Sequence, residues 1–204
     1  MKYLSRLFAL SVVSASLSLS CNAGNKEHKN VELVNNLVKK LILPKTTQGT
    51  STVPMVIKDE IIQGDFVQGD FNGDGIEDFA AIFMPVSGLT ESGRLKIKKL
   101  WNYPGVVPSD KLHKSLVVFH GDKNGWETDS IQSYVLLDTS GALETPSFKL
   151  LISRTGDKSF KENASYLPVS LKSDFLILPT EAGIDTYIYW SKGAYNLFEP
   201  EEMP

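Results

Sequence analysis

The sequence predicts an α+β protein: one antiparallel, mainly meander β-sheet with an N-terminal amphipathic helix packed on one face. An apolar stripe of helical spacing occurs once, between Asn30 and Pro44. Beyond it, short β-branched and aromatic runs follow one another with hairpin signals and no intervening helical pattern. Hydrophobic residues make up 42% and charged residues 22% of the chain, which is ordinary for a globular protein.

The first twenty residues have the pattern of an export signal. Lys2 and Arg6 form a short positive region, and residues 7–19 carry no charge. This apolar stretch is shorter than the ~20 residues that a membrane-spanning helix needs. Small residues, Ser18 and Ser20, stand where an exported precursor is cleaved. We therefore expect residues 1–20 to be a signal peptide.

Cys21 follows this segment directly and is the only cysteine in the chain. An exported protein with one thiol has no intramolecular disulfide to form, and the position of Cys21 resembles the lipobox of bacterial lipoproteins. The resemblance implies a membrane anchor on acylated Cys21, a polar tether over residues 21–29, and an outer-membrane or cell-surface location. Ordinary signal-peptidase cleavage near Ser20 or Ala23 is the alternative, and it implies a periplasmic or secreted protein.

The predicted helix begins with Asn30 as its N-cap and ends before Pro44. Its apolar stripe, which we expect to pack on the sheet, consists of Val31, Val34, Leu37, Val38, Leu41 and Ile42. The predicted strands are, in chain order, residues 55–62, 79–84, 116–120, 130–137, 148–153, 175–178, 186–190 and 194–198.

Late glycines mark two of the predicted hairpin turns, Gly125 after Asp122 and Gly193 after Ser191. We expect residues 30–204 to form a single β-rich domain. The chain is too short for a full propeller, because even four blades of ~40 residues each would nearly exhaust it.

Residues 85–114 interrupt the series of strands. The segment holds three prolines, three glycines and six cations against two acids, a local charge of +4. We expect an inserted basic loop or arm, in which Leu95, Ile97 and Leu100 alternate with lysines. A solvated excursion is the simpler interpretation, and contact with lipid phosphates or an acidic partner is the functional one.

Residues 70–78 have the spacing of a cation-binding loop. Oxygen-bearing side chains recur at positions 1, 3, 5 and 9, with a glycine at position 6 that permits a tight wrap. The expected ligands of Ca²⁺ are the side chains of Asp70, Asn72, Asp74 and Asp78 and the carbonyl of Ile76 at position 7. Three carboxylates so close together repel one another unless an ion is present. A metal-free Asx turn is the alternative.

An EF-hand is excluded because its twelfth position, a bidentate glutamate, is Ala81 in this chain. The run GDFNGDGIEDFA instead resembles the calcium loop of FG-GAP and VCBS repeats, which ends on an aspartate and continues into a strand. Those repeats form propeller blades in arrays, whereas this chain holds one copy and a partial upstream echo, GDFVQGDF. With its leading helix and closing hairpin, the mature chain also resembles a group of small exported bacterial proteins. The resemblance implies calcium binding and no catalysis.

Other functional patterns are sparse. A net charge of −3, which loss of Lys2 and Arg6 would take to −5, argues against nucleic-acid binding. His28, His113 and His120 are scattered without zinc-site spacing, and we expect a tether, a loop and a solvated or capping position for them. No nucleophile elbow or P-loop occurs. The last hairpin is rich in aromatic residues, for which packing is the simpler interpretation and sugar stacking the functional one.

These observations predict a calcium-binding, non-catalytic cell-envelope lipoprotein that acts as a binding module for an envelope protein or glycan. The alternative is an envelope hydrolase, or an inhibitor of one, with its site outside the calcium loop. An enzyme would bring histidine and carboxylate side chains together in a concave pocket. A binding module would instead expose a basic or aromatic patch.

Overall fold

Two β-sheets pack face to face in the part of the chain that the structure describes. The structure is a computed structural model that describes residues 29–30, 32–37, 66–85, 89–100, 113–126, 130–139, 141, 143, 149–179 and 185–200. Sheet A contains β1 (Phe66–Gly69), β2 (Asp78–Phe83), β3 (Leu95–Leu100), β4 (Ser115–His120) and β5 (Gln132–Asp138). Sheet B contains β6 (Leu151–Ser153), β7 (Phe175–Leu178), β8 (Thr186–Ser191) and β9 (Ala194–Phe198). Helix α1 covers residues 29–30 and 32–37, and α2 is Phe160–Ser165.

The mainly β, mostly antiparallel character is confirmed, whereas the single sheet is wrong. Sheet B is a meander in the order β6-β7-β8-β9. Sheet A has the order β1-β2-β4-β5-β3, and β3 pairs with β5 in parallel. The chain crosses from β2 to the far edge for β3 and then returns for β4 to pair with β2.

Two sheets form because the strands are apolar on both faces. Every residue of β2 and β4 is buried, so sheet A needs a cover on each side. Its inner face packs on sheet B through one core cluster, which includes Ile82, Leu116, Leu136, Leu176 and Ile188. The antiparallel pairing of β2 with β4 places the start of β2 and the end of β4 at the same edge of the sandwich.

Helices supply the outer covers. Val34 and Leu37 of α1 are buried against the outer face of sheet A, as the apolar stripe predicts. The helix already includes Lys29, so Asn30 lies inside it and does not cap it. Residues Phe160 and Ala164 of α2 pack on the outer face of sheet B. Among the described residues, no helix combines the length and apolar character that crossing a bilayer requires.

Three elements were not predicted. The upstream echo GDFVQGDF contains β1, the basic segment contains β3, and α2 lies where no helical stripe is evident, since none of its residues is fully buried. The predicted strand at 55–62, the signal peptide, Cys21 and most of the tether lie outside the described residues. Both predicted turns are confirmed: Gly125 has φ 94°, and Lys192 and Gly193 have φ 53° and 77°.

Candidate functional site

The predicted cation loop joins β1 to β2 at one end of the sandwich. The carboxylate of Asp70, at position 1, accepts three backbone N–H groups of its own loop: Gly73 (2.8 Å), Asp74 (3.1 Å) and Gly75 (2.9 Å). Gly73 and Gly75 have φ of 79° and 82°, which side-chain-bearing residues rarely adopt. The predicted positive φ at Gly75 is therefore confirmed, and the loop wraps around the Asp70 carboxylate.

Two Asx turns continue the wrap. Asn72 Oδ1 accepts the N–H of Asp74 at 2.9 Å, and Asp74 Oδ1 accepts the N–H of Ile76 at 2.8 Å. The Asn72 amide also donates to Asp74 Oδ2 at 2.9 Å. Asp74 is exposed, and Ile76 is half-buried. Backbone and amide N–H donors thus stabilise the carboxylates, which the sequence predicted to repel one another.

Asp78 closes the loop from inside the protein. It is the first residue of β2, and its side chain is fully buried. Its Oδ2 accepts the N–H groups of Phe71 (2.9 Å) and Asn72 (3.3 Å), and its Oδ1 accepts that of Gly121 (2.8 Å). Burial raises the pKa of Asp78 to about 7, although these three hydrogen bonds act to lower it.

The donor set has the chemistry that a hard cation requires. Asp70, Asn72, Asp74, Ile76 and Asp78 offer only oxygen ligands, as Ca²⁺ prefers. Each carboxylate oxygen has two lone pairs. Asp78 Oδ1 and both oxygens of Asp74 each accept one of the hydrogen bonds described above and so keep acceptor capacity. Within the described ranges, no three His, Cys, Asp or Glu side chains are arranged to hold a metal ion. The oxygen donors of the loop therefore suit Ca²⁺, and a metal-free Asx turn stays the alternative.

A buried histidine lies beside this loop, and sequence reasoning missed it. His120 is 7% exposed, and its Nε2 is 2.8 Å from the Tyr195 hydroxyl oxygen. Its ring packs against Tyr134 at 4.6 Å and Trp190 at 4.9 Å between centroids. The prediction of a solvated position is wrong. The signal was in the strand, because His120 has the same parity as the inward-facing Leu116 and Val118.

The environment of His120 keeps it neutral at physiological pH. Burial lowers the pKa of His120 to about 4, although the charge of Asp74 acts to raise it. The imidazole therefore acts as a packing and hydrogen-bonding group beside the loop.

The aromatic residues of the last hairpin lie on two buried faces. Trp190 packs with the core between the sheets. Tyr187 and Tyr189 are 5% and 7% exposed and pack on the outer face of sheet B. The packing interpretation is therefore confirmed for these two tyrosines, because α2 and the residues after it cover this face.

The basic segment contains the edge strand β3, which pairs in parallel with β5. Lys96, Lys98 and Lys99 are exposed along this edge. Glu91 Oε1 accepts the N–H of Ile97 at 2.8 Å, and Ser92 Oγ accepts the N–H of Leu95 at 3.1 Å. The segment before β3 thus occupies the N–H groups of Leu95 and Ile97, at the edge where another strand would add.

A shallow cavity of about 530 Å³ lies elsewhere, between α2 and residues 167–171. No histidine or carboxylate lines it, and Lys161 is its one charged residue. Three polar groups with strongly shifted pKa values, Asp78, His120 and Tyr195, are buried at the loop end of the sandwich and hydrogen-bonded there. Neither Asp78 nor His120 lines the cavity between α2 and residues 167–171.

The described part of the chain brings all five predicted calcium ligands into one loop, and His113 lies in the predicted loop before β4. Cys21, His28 and Lys111 lie outside the described residues. No protein-family model, curated protein or solved structure matches this chain.

Proposed function

We propose that this protein is a calcium-binding, non-catalytic interaction module of the cell envelope, exported and lipid-anchored at Cys21. The observation that carries the proposal is the loop 70–78, in which oxygen donors at metal-ligand spacing are closed onto the sandwich by the buried Asp78 carboxylate. A bound Ca²⁺ would offset the negative charges of half-buried Asp70 at position 1 and exposed Asp74 at position 5. The ion would thereby stabilise the turn between β1 and β2.

We expect residues 22–204 to melt at a higher temperature in Ca²⁺ than in EDTA, with the increase growing across a Ca²⁺ titration. An ion that binds only the folded state adds RT ln(1 + [Ca²⁺]/Kd) to the free energy of unfolding. At a few hundred times Kd this is about 3–4 kcal/mol. For a chain of this size, that free energy corresponds to a rise in Tm of about 10 °C. Scanning calorimetry measures the shift directly.

Asp74→Ala is the control, because Asp74 is exposed and its loss leaves the buried Asp78 bonds in place. We expect its Tm to be the same in EDTA and in Ca²⁺. Equal melting of the wild type with and without calcium would leave only a metal-free turn and remove the proposed function.

The partner surface that we propose is the edge strand β3. Its three exposed lysines stand out in a chain of net negative charge, and a tether from Cys21 would hold the domain near the lipid phosphates. The Lys98 ammonium donates to the Tyr195 carbonyl of sheet B, so Lys96 and Lys99 are the cations that we expect to contact an anionic surface.

We expect wild-type residues 22–204 to co-sediment with phosphatidylglycerol-containing vesicles at low salt and to detach at high salt. A lysine near an anionic bilayer contributes ~1 kcal/mol, so reversing two should weaken binding at least ~10-fold in K96E/K99E. The charge-matched control K149E/K158E alters exposed lysines near β6 and should bind more tightly than K96E/K99E. If the wild type does not co-sediment with these vesicles, lipid phosphates are excluded as the partner, and an acidic envelope protein or glycan remains.

A further inference from the structure

We propose that Asp174, which lies immediately before β7 in sheet B, is the positioning residue of the calcium loop in sheet A. The inference rests on the proposed function and deepens it. It states that ion binding and the packing of the two sheets are coupled through one pair of residues, Asp70 and Asp174.

Two reciprocal hydrogen bonds form this pair. Asp174 Oδ2 accepts the backbone N–H of Asp70 at 3.1 Å, and the backbone N–H of Asp174 donates to the carbonyl of Asp70 at 2.9 Å. The N–H and carbonyl of loop position 1 are therefore both held by one residue more than a hundred positions away in sequence. The Asp70 side chain remains available to the loop.

The Asp174 carboxylate is itself fixed in orientation. It is 6% exposed, and its Oδ1 accepts both the N–H of Thr155 (2.8 Å) and the Thr155 hydroxyl (3.1 Å). Thr155 lies just after β6. The carboxylate thus spans from the end of β6 to the start of the loop, with each oxygen committed to a different partner.

Gly69 shows that this contact is tightly built. A Cβ at Gly69 would lie 2.7 Å from Asp174 Oδ2 and would also overlap Ile152 Cδ1 of β6. The end of β1 approaches sheet B this closely because residue 69 has no side chain. The loop therefore begins at a junction where the two sheets touch.

Coupling follows from this arrangement. Asp70 supplies the first expected ligand, and its carboxylate organises the loop through the N–H groups of Gly73, Asp74 and Gly75. A shift of the Asp70 backbone would move that carboxylate relative to the other ligands. Because such coupling is reciprocal, an ion in the loop should also stabilise the Asp70–Asp174 junction.

The test is the Ca²⁺ dissociation constant of residues 22–204, measured by titration calorimetry on wild type and Asp174→Asn. Both carboxylate oxygens accept N–H groups, so an amide must turn its NH₂ toward one donor in either orientation. We expect Ca²⁺ affinity to fall ~10-fold, the loss typical when a residue that orients a metal ligand is changed. Thr155→Val keeps the backbone donor and removes one hydroxyl bond, and we expect a smaller loss.

Two controls separate positioning from general destabilisation. Asp157→Asn removes one negative charge from the exposed surface near Thr155 and should leave the affinity unchanged. Ile177→Ala creates a cavity on the opposite face of β7, away from the loop. If Ile177→Ala weakens Ca²⁺ binding as much as Asp174→Asn, the positioning role is overturned.

The remaining outcomes distinguish the two proposals. A wild type that does not bind Ca²⁺ overturns the calcium function and, with it, this inference. A wild type that binds Ca²⁺ while folded Asp174→Asn and Thr155→Val bind it equally well overturns the inference alone. Circular dichroism establishes that each variant is folded.

Discussion

Replacing Asp78 with alanine should lower the free energy of unfolding by about 4 kcal/mol, even in EDTA. The change leaves the N–H groups of Phe71, Asn72 and Gly121 without their acceptor, and an unsatisfied buried donor costs about 1–3 kcal/mol. Asp78→Asn should cost about half as much, because an amide oxygen satisfies one side of the site while its NH₂ opposes the other. Urea unfolding monitored by tryptophan fluorescence measures both losses.

The comparison with Asp74→Ala makes this prediction specific. Asp74 lies in the same loop but is exposed, so its replacement in EDTA should cost less than about 1 kcal/mol. In saturating Ca²⁺ both losses should grow and Asp78→Ala should remain the larger, since Asp78 and Asp74 are both expected ligands and each variant forgoes the stabilisation that the ion gives the wild type. Equal losses for Asp78→Ala and Asp74→Ala in EDTA would contradict the closing role of Asp78.

Gly121→Ala should lower the free energy of unfolding by about 3 kcal/mol, almost as much as Asp78→Ala, and should lower Tm by ~6–12 °C. A Cβ at Gly121 would overlap the Glu77 carbonyl oxygen and lie 2.8 Å from Ile76 Cγ2. Relieving that overlap must move the backbone of the loop or of the turn after β4. Either movement also withdraws the Gly121 N–H from Asp78 Oδ1.

Gly156→Ala is the matched control for this prediction. No atom lies within 4 Å of the position that a Cβ would take at Gly156, and its backbone is outside the left-handed region. Alanine there should be neutral or stabilise by less than about 1 kcal/mol, because it restricts the unfolded chain. Scanning calorimetry of both variants in EDTA compares them, and equal Tm values would contradict the close approach at Gly121.

Local sequence signals predicted much of this architecture. The spacing of acids and glycines predicted the turn at 70–78 with positive φ at Gly75, and late glycines predicted the turns at Gly125 and Gly193. Strands β7 and β9 have the predicted bounds. These features depend on backbone conformations and side-chain parity within a few residues, which the order of amino acids specifies directly.

The partners of each strand were not predictable in the same way. The alternation within β3 does not indicate that it lies parallel to β5, because pairing depends on where β4 inserts. The apolar residues of β2 and β4 do not predict whether a second sheet or further helices will pack on them. Such choices depend on the summed burial of all elements, which no local window contains.

The sequence by itself determined the loop, its oxygen donors, the turns and the faces of the strands, because these follow from residue type and spacing. Only the tertiary structure decided that Asp78 is satisfied by Gly121, that Asp174 holds Asp70, and that His120 is buried beside Tyr195. Each of these contacts joins residues 43 to 104 positions apart. They exist because the antiparallel pairing of β2 with β4 and the face-to-face packing of the two sheets bring the start of β2, the end of β4 and the start of β7 to one edge.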